Sequence, residues 1–385
     1  MAVVDEIVKY AEGRKDEFLE ILKNVVNYES HIYGERSVKD KCGLYIEGLF
    51  KGLGFETWHE DAKEAGTHIC GRLGNGNKKI FLLGHYDTVF KTGTTLERPF
   101  SIENDKAYGP GIFDMKGGIV VFYMAVKSLI ELKQFPDDVE ITFFFSCDEE
   151  GGSLTSRGLI EKMAEEADVC LCSEPGHKGE GYITIGRYGR DVVKVFARGV
   201  AAHAGNNPQC NPLIEISRQA EYIDKNCRDG DSLYASVVSM HGGDTGATAM
   251  TPEEAYLIAD IRYKDDEHGK IAAEVIKNIK PAIKDMQIEV SGGVEKPALR
   301  QNEKSEFACR RTKEIIEEMG YEYKPTVLGG GSDGNFTSSI GCPTIDGLGL
   351  NGQYLHNPRE YVDIPTIPQR VALSAELIRT VLNNR

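Results

Sequence analysis

The sequence predicts an α/β fold in two domains: a mostly parallel sheet covered by helices, interrupted by an inserted α+β domain. Apolar strands alternate with helical segments in both terminal parts of the chain, and this pattern changes in the middle. The length of 385 residues also exceeds what one hydrophobic core usually serves. We therefore expect a main domain formed by residues 1–187 and 299–385, with the insertion at 188–298.

The first part of the chain alternates helices with strongly apolar strands. Amphipathic patterns predict helices over 5–27 and 37–53. Further on, the patterns predict strands at 78–87, 139–147 and 168–175, and helices at 117–132 and 156–167. Continuous apolar strands that alternate with helices are typical of βαβ units, in which helices cover both faces of a parallel sheet. This order predicts the main sheet.

The inserted segment has a different pattern, with nearly alternating strands. The order strand–helix–strand–strand–helix–strand predicts a ferredoxin-like sandwich with one open sheet face. The strands include 192–199, 255–263 and 286–293, and the helices are 211–227, which Asn211 caps, and 267–283. The α/β pattern then resumes with a helix at 305–320, a strand at 342–350 and a closing helix at 367–384.

Composition excludes several classes of function. The formal net charge is −15, and such an acidic surface repels nucleic acids and anionic membranes. No apolar run reaches about 18 residues, so we expect no membrane span. The charged start lacks the apolar run of a signal peptide, which favours a cytoplasmic location.

The nine cysteines include no CxxC pair, and Cys170 and Cys172 lie in a predicted strand, so we expect reduced, packed thiols.

Acidic and imidazole side chains follow the predicted strands at several places. In open α/β sheets, ligands bind beyond the carboxyl ends of the strands, so these side chains are expected to converge. Imidazole and carboxylate groups are the ligands that divalent metal ions take in hydrolases. The set comprises His85, Asp87, Asp114, Glu149, Glu150, Glu174 and His356. It predicts a two-metal site with one bridging carboxylate and one spare carboxylate for a proton.

Two spacings within this set indicate separate roles. The spacing of His85 and Asp87 places both side chains on one face of a strand, so Asp87 can accept the ring N–H of His85. Glu149 and Glu150 are adjacent, and in an extended segment their side chains point apart. One of them can then hold a metal ion while the other serves as general base. Two adjacent cations lower the pKa of a shared water, which gives hydroxide near neutral pH.

The chain resembles the zinc M20 metallopeptidases, and within them the glutamate carboxypeptidase group. The resemblance rests on HYDTVF, GPGIFDMKGG, DEEGGS, SEP, AAHAG, IADIRY, GGGSDGNF and LGLNGQYLHNPREYVD, in this order along essentially the whole length. It implies two zinc ions per chain, which Mn²⁺ or Co²⁺ could replace. The resemblance implies that Asp114 bridges the two ions, that His85 and Glu174 complete one metal site, and that Glu150 and His356 complete the other. It also implies that Glu149 is the general base and that Asp87 orients His85.

The resemblance also implies how a substrate is held. His203 in AAHAG would enter the active site of the partner subunit and stabilise the oxyanion, so the insertion would be a lid and dimerisation domain. Arg262 in IADIRY would bind the substrate carboxylate. The loop with Gly330, Gly331 and Ser332 would line the substrate pocket. The resemblance further implies a cis peptide bond between Asp114 and Met115.

Some positions depart from the glutamate-releasing group. GATAMTP lacks an Asn found in many members, and Tyr182 and Lys296 stand near positions where that group has a lysine and an arginine. We therefore expect an amide hydrolase that releases a free amino acid from a small peptide or an N-acyl amino acid, with a neutral or apolar side chain accepted at least as well as glutamate.

An aminoacylase, deacetylase or dipeptidase of the same fold is an alternative. A non-catalytic zinc-binding scaffold is another, although it would not need Glu149.

Overall fold

The computed structural model describes residues 3–177 and 179–383, which form two compact units. The first unit is drawn from residues 1–186, 300–327 and 332–385, and the second from 187–299 and 328–331. Over the described ranges, no helix is long and apolar enough to cross a membrane.

The helices and strands are numbered here in chain order. The helices are α1 (Val3–Gly13), α2 (Lys15–Asn27), α3 (Arg36–Gly52), α4 (Thr94–Glu97), α5 (Gly117–Glu131), α6 (Arg157–Glu165), α7 (Pro212–Asn226), α8 (Asp266–Lys277), α9 (Glu306–Glu318), α10 (Gly334–Ser339) and α11 (Ile367–Thr380). The strands are β1 (Glu56–Asp61), β2 (Thr67–Leu73), β3 (Lys78–His85), β4 (Ser101–Glu103), β5 (Lys106–Tyr108), β6 (Val139–Ser146), β7 (Val169–Cys172), β8 (Tyr182–Arg187), β9 (Gly189–Arg198), β10 (Ala202–His203), β11 (Arg228–Asp229), β12 (Leu233–Gly242), β13 (Met250–Thr251), β14 (Glu254–Tyr263), β15 (Gln287–Lys296), β16 (Lys324–Leu328), β17 (Thr344–Ile345), β18 (Gly352–Gln353) and β19 (Tyr361–Asp363).

The first unit is built on a six-stranded sheet of order β1-β2-β6-β3-β7-β17. Strands β6, β3, β7 and β17 are parallel, and β2 and β1 extend the sheet antiparallel at one edge. The α/β class with a mostly parallel sheet, as predicted from the apolar strands, is confirmed.

Alternate residues of the central strands pack into two different cores, as a strand with both faces buried requires. In β3, Ile80 and Leu82 belong to the core that also takes in α5 and α11, while Phe81 and Leu83 belong to a smaller core against α6 and α10. Cys170 and Cys172 of β7 join that smaller core, and all nine cysteines are free thiols. The prediction that this C-x-C pair serves packing is confirmed.

The second unit has an antiparallel sheet of order β11-β12-β14-β9-β15, with α7 and α8 packed against its strands. Asn211 caps α7, because its Oδ1 accepts a hydrogen bond from the Leu213 N–H at 3.0 Å. Helix α8 ends at Lys277, before the predicted limit of 283. Pro281 excludes a continuation to residue 283, since proline disfavours helical backbone in the residue before it.

Two further predicted elements differ from the observed ones. The single helix predicted over 5–27 is divided into α1 and α2, because Arg14 has φ −114° and ψ 15° directly after Gly13, a poor helix former. The strand predicted over 342–350 is limited to β17, because Gly347 takes φ +70° and turns the backbone out of the sheet.

Candidate metal centre

The carboxyl ends of three neighbouring parallel strands form the floor of the candidate site. Strands β6, β3 and β7 lie side by side, and His85 at the end of β3 pairs with Ser146 at the end of β6. Glu149 and Glu150 lie in the segment that follows β6, and Glu174 lies in the segment that follows β7. The topology therefore gathers residues from three distant parts of the chain at one edge of the sheet.

Asp114 lies between two histidines, and each of its carboxylate oxygens faces a different one. Oδ1 lies 3.2 Å from His85 Nε2, and Oδ2 lies 3.0 Å from His356 Nε2. The peptide bond between Asp114 and Met115 is cis, as the resemblance implies. This arrangement divides the site into two halves that share one carboxylate.

Each half is completed by one glutamate. His85 Nε2 lies 3.8 Å from Glu174 Oε1, and His356 Nε2 lies 3.2 Å from Glu150 Oε2. Each half thus contains Asp114, one histidine and one glutamate. In each half, these three residues place one possible ligand atom each within 4.8 Å of the other two. The five residues predicted as metal ligands are thus together in the first unit, in the two groups that the resemblance implies.

The carboxylates of the candidate site give it a negative charge that favours the binding of protons or cations. Burial opposes ionisation of Asp114, but hydrogen bonds with His356 and His85 hold its pKa below the usual range. Hydrogen bonds to Asp114 and Glu150 raise the pKa of His356 to about 10. Burial, together with the charges of Asp114 and Glu149, raises the pKa of Glu150 to about 7 despite its bond with His356. The raised pKa values of His356 and Glu150 show that the negative charge of this cluster favours bound protons, and the same charge favours bound metal cations.

The turn with Glu149 and Glu150 is anchored by Asp87. The Asp87 carboxylate accepts hydrogen bonds from the backbone N–H of Glu149 at 3.2 Å and of Glu150 at 3.0 Å. His85 Nδ1 lies 3.1 Å from the Asp87 backbone oxygen and 3.4 Å from its Oδ1. Asp87 therefore contacts the ring mainly through its backbone oxygen, whereas the prediction assigned this contact to its carboxylate, and the carboxylate holds the turn. The turn itself, Glu149–Gly151, is helical, and the extended form predicted for it is wrong.

His203, predicted to stabilise the oxyanion, and Arg262, predicted to bind the substrate carboxylate, both lie in the second unit. The exposed His203 accepts a hydrogen bond at Nδ1 from the Gly205 N–H at 3.1 Å, which assigns the ring proton of the neutral form to Nε2. Arg262 donates through Nε and Nη2 to the two oxygens of Asp260, at 2.6 and 3.1 Å. Its Nη1 donates to Gly329 O at 3.0 Å.

The glycine-rich loop contains both open and buried positions. Gly330 is exposed, and Gly331 is half-buried, with the Lys296 side chain so close that an added Cβ would lie 2.8 Å from its Cδ. Ser332 is buried, and its hydroxyl donates to Asp346 Oδ2 at 2.7 Å. The loop can thus offer backbone groups to a ligand, while the Ser332 hydroxyl is held inside the protein.

Sequence reasoning missed Glu360, which fixes the loop that presents Asp114. This fully buried carboxylate accepts hydrogen bonds from the backbone N–H of Gly111, Phe113 and Asp114 at 3.1, 2.7 and 3.0 Å. Burial raises its pKa to about 8. The available signal was its position four residues after His356 within one acidic motif, but nothing in the sequence indicated three amide donors.

Comparison with known proteins gives the family. The model of Peptidase family M20/M25/M40 matches residues 81–380. The chain belongs to this family. It is 33% identical over 378 residues to carboxypeptidase G2 of Pseudomonas sp. (strain RS-16), an alignment that covers 94% of this chain and 88% of that protein. It is 29% identical over 343 residues to a succinyl-diaminopimelate desuccinylase of Gluconobacter oxydans, covering 84% of this chain and 87% of that protein.

Solved structures of the same fold cover nearly the whole chain. An aminopeptidase PepT from Bacillus cereus has a TM-score of 0.76 at 20% identity, covering 95% of this chain and 98% of that one. An M20 family metallo-carboxypeptidase from Sulfolobus solfataricus has a TM-score of 0.73 at 18% identity, covering 95% of this chain and 99% of that one. With the family match, the protein is a hydrolase of the metallopeptidase and amidohydrolase type.

Proposed function

We propose that the protein hydrolyses an amide bond and releases a free amino acid, using two divalent metal ions held by the two halves of the candidate site. The position of Asp114 carries the proposal, since one of its oxygens faces His85 and the other faces His356. A carboxylate placed in this way can hold two cations side by side. Two-metal hydrolases typically have metal separations of about 3.5–4 Å.

The donor set fits divalent zinc. Two imidazole nitrogens and the oxygens of three carboxylates are ligands that zinc takes in catalytic sites, and Mn²⁺ or Co²⁺ can occupy the same kind of set. Glu150 Oε1 is buried and has no hydrogen-bond partner in the described chain, which leaves an acceptor that a cation would satisfy. His85, Asp114 and Glu174 would hold one ion, and Asp114, Glu150 and His356 the other. Bound there, the ions supply Lewis acidity, which lowers the pKa of a water ligand.

The remaining residues have defined tasks in this proposal. Glu149 takes a proton from the attacking water and passes it to the nitrogen that leaves. The turn anchored by Asp87 keeps Glu149 beside the ligands. His203 donates its Nε2–H to the oxyanion, and it acts in the partner subunit of a homodimer. These roles rest on the family resemblance and on the contacts given above.

The substrate class follows from Arg262 and the glycine-rich loop. We assign to Arg262 the free carboxylate of the leaving amino acid, in a charge-assisted contact shared with Asp260. Backbone groups of Gly330 and Gly331, next to the buried Ser332, line the pocket. The carboxypeptidase relative supports release of a C-terminal residue. Tyr182, which stands near a lysine of the glutamate-releasing group, removes a positive charge and favours neutral or apolar side chains, whereas Lys296 keeps the charge of the arginine that it stands for.

Deacylation of N-acyl amino acids is a second candidate. It is supported by the similarity to desuccinylases over 84% of the chain. Both reactions cut an amide next to an amino acid and use the same residues. They differ in whether the acyl half is a peptide or a simple acid. A purely structural zinc site is disfavoured, since such a site has no use for Glu149.

A metal and substrate experiment tests the proposal. We expect two zinc ions per chain after saturation, measured by elemental analysis. We also expect metal-dependent release of free amino acid from a panel of dipeptides and N-acyl amino acids, with kcat/KM higher for each acid than for its C-terminal amide. One ion or none would refute the two-metal assignment. Equal rates for acids and amides would refute carboxylate recognition.

A further inference from the structure

The turn that carries Glu149 and Glu150 is tied at both ends to one carboxylate from a distant part of the chain. Asp333, of the GGGSDG motif, is only 2% exposed. Its Oδ2 accepts a hydrogen bond from the Ser146 hydroxyl at 3.2 Å, and its Oδ1 accepts one from the Ser153 hydroxyl. Ser146 precedes the turn by three residues, and Ser153 follows Glu150 by three.

Both serines occupy positions that define the course of the turn. Ser146 is the last residue of β6, opposite His85, and its carbonyl accepts from the Tyr86 N–H at 3.0 Å. Ser153 has φ +58°, a left-handed conformation that a non-glycine residue rarely adopts without support. Its N–H donates to Asp148 O at 2.9 Å, and its carbonyl accepts from the N–H of Arg157 at the start of α6. A shift of either serine would change where the turn begins or ends.

Asp87 and Asp333 hold different parts of this turn. Asp87 accepts the amides of Glu149 and Glu150 at the tip, whereas Asp333 accepts the hydroxyls at the two ends. Backbone hydrogen bonds also hold the two ends, and the Asp333 carboxylate links these ends to each other through the serine hydroxyls. Such a link matters because a displacement of about 1 Å can cost a catalytic group on the order of 10²-fold in rate.

We propose that Asp333 is a positioning residue for the reaction, which keeps Glu149 aligned through Ser146 and Ser153. The inference rests on the proposed role of Glu149 as the base. It gives the acidic residue of the GGGSDG motif a task separate from the substrate pocket. Asp333 itself touches neither substrate nor metal ligand in this proposal.

Kinetics of Asp333→Asn and of a double variant test the proposal. The amide has one neutral carbonyl acceptor in place of two carboxylate oxygens, so one serine loses its acceptor and the other keeps only an uncharged one. We expect kcat to fall about 10- to 100-fold with KM within about twofold of the parent. In a Glu149→Gln background, measured in single turnovers, the same change should cost less than about twofold, because the group it positions is already lost.

A matched control separates positioning from general damage. Asp191 is a buried carboxylate of the second unit that accepts a hydrogen bond from the Tyr263 hydroxyl at 3.0 Å, so Asp191→Asn is the same chemical change elsewhere. It should leave kcat unchanged. If Asp333→Asn fails to fold, Ser153→Ala removes one of the two hydroxyl donors, and it should give a smaller fall in kcat with the same dependence on Glu149.

The visible spectrum of the Co²⁺-loaded protein gives a reading that does not need turnover. Asp333→Asn should alter the ligand-field bands, because Glu150 lies in the same turn, whereas Asp191→Asn should not. An unchanged kcat and spectrum would overturn the inference, as would a full loss of rate that persists in the Glu149→Gln background. If the parent hydrolyses no amide, the proposed function fails, and the spectrum still decides whether Asp333 positions the turn.

Discussion

Single residues in this site are defined by what each of their atoms contacts. Asp114 uses its two oxygens for two histidines, and Asp87 uses its carboxylate for two backbone amides as well as for His85. Glu149 and Glu150 are neighbours in sequence, but only Glu150 pairs with His356. The proposed division of roles, with Glu150 as a metal ligand and Glu149 as the base, therefore depends on side-chain direction within one short turn.

At this scale we expect Glu149→Gln to lower kcat by at least about 10²-fold, the usual contribution of a general base. The substitution keeps the size of the side chain and removes its ability to take a proton. Both metal ions should remain, because Glu149 belongs to neither ligand group. Steady-state kinetics with elemental analysis on one sample checks this, and activity within a few-fold of the parent would assign the base to another group.

The sequence predicted which residues assemble, and its failures concern their partners. His85, Asp114, Glu150, Glu174 and His356 could be found because each follows an apolar strand or lies in a recognisable motif. Glu360 and Asp333 could not be assigned their hydrogen bonds, because these bonds join segments at least 180 residues apart. Such pairing depends on the folded sheet and leaves no periodicity in the sequence.

Elements follow the sequence wherever apolar periodicity is strong. Strands β3 and β6 and helix α5 lie within one or two residues of the predicted limits. The errors fall where glycine or proline overrides the pattern, as at Gly13, Pro281 and Gly347.

In the second unit, β9 alternates inward and outward residues, and its inward residues include the carboxylate Asp191.

Asp191 predicts a pH dependence of stability at the level of this sheet. Burial raises its pKa to about 6, although the Tyr263 hydroxyl lowers it. A carboxyl group whose pKa is higher in the folded state stabilises the fold at low pH, and this contribution is lost as the pH rises through about 6. Relative to the parent, Asp191→Asn should therefore gain roughly 1–3 kcal/mol of stability between pH 4 and pH 7.

Thermal unfolding of both proteins across this range measures the effect. The difference in Tm, variant minus parent, should rise by a few degrees between pH 4 and pH 7 and then remain level. A difference that is flat with pH would show that Asp191 titrates normally in the folded protein.

At the scale of the whole molecule, the partly unpaired edge of β12 bears on how chains assemble. In the described chain, β12 pairs with β14 along one side, but on its other side β11 reaches only Leu233 and Tyr234. The rest of that edge is unpaired, and Val238 and Met240 of this strand are exposed. An edge of this kind favours pairing with a second chain, which is the homodimer implied by the resemblance.

Mixed dimers test whether His203 acts in the partner subunit. We expect His203→Ala and Glu149→Gln chains to be nearly inactive alone. After subunit exchange, random mixing gives half hybrid dimers with one intact site each, so roughly a quarter of the parental activity should return. Exchange verified by differently tagged chains without any recovery would place His203 in the site of its own chain.

The path of the chain between the two units limits how the protein can be divided. The backbone leaves the first unit at 186/187 and returns at 299/300, then crosses again at 327/328 and 331/332. The second crossing delivers the carbonyls of Leu328 and Gly329, which accept hydrogen bonds from the Tyr188 N–H and from Arg262. A fragment of residues 187–299 expressed alone would lack both acceptors. Grafting this insertion onto another family member therefore requires transplanting a second, four-residue piece along with it.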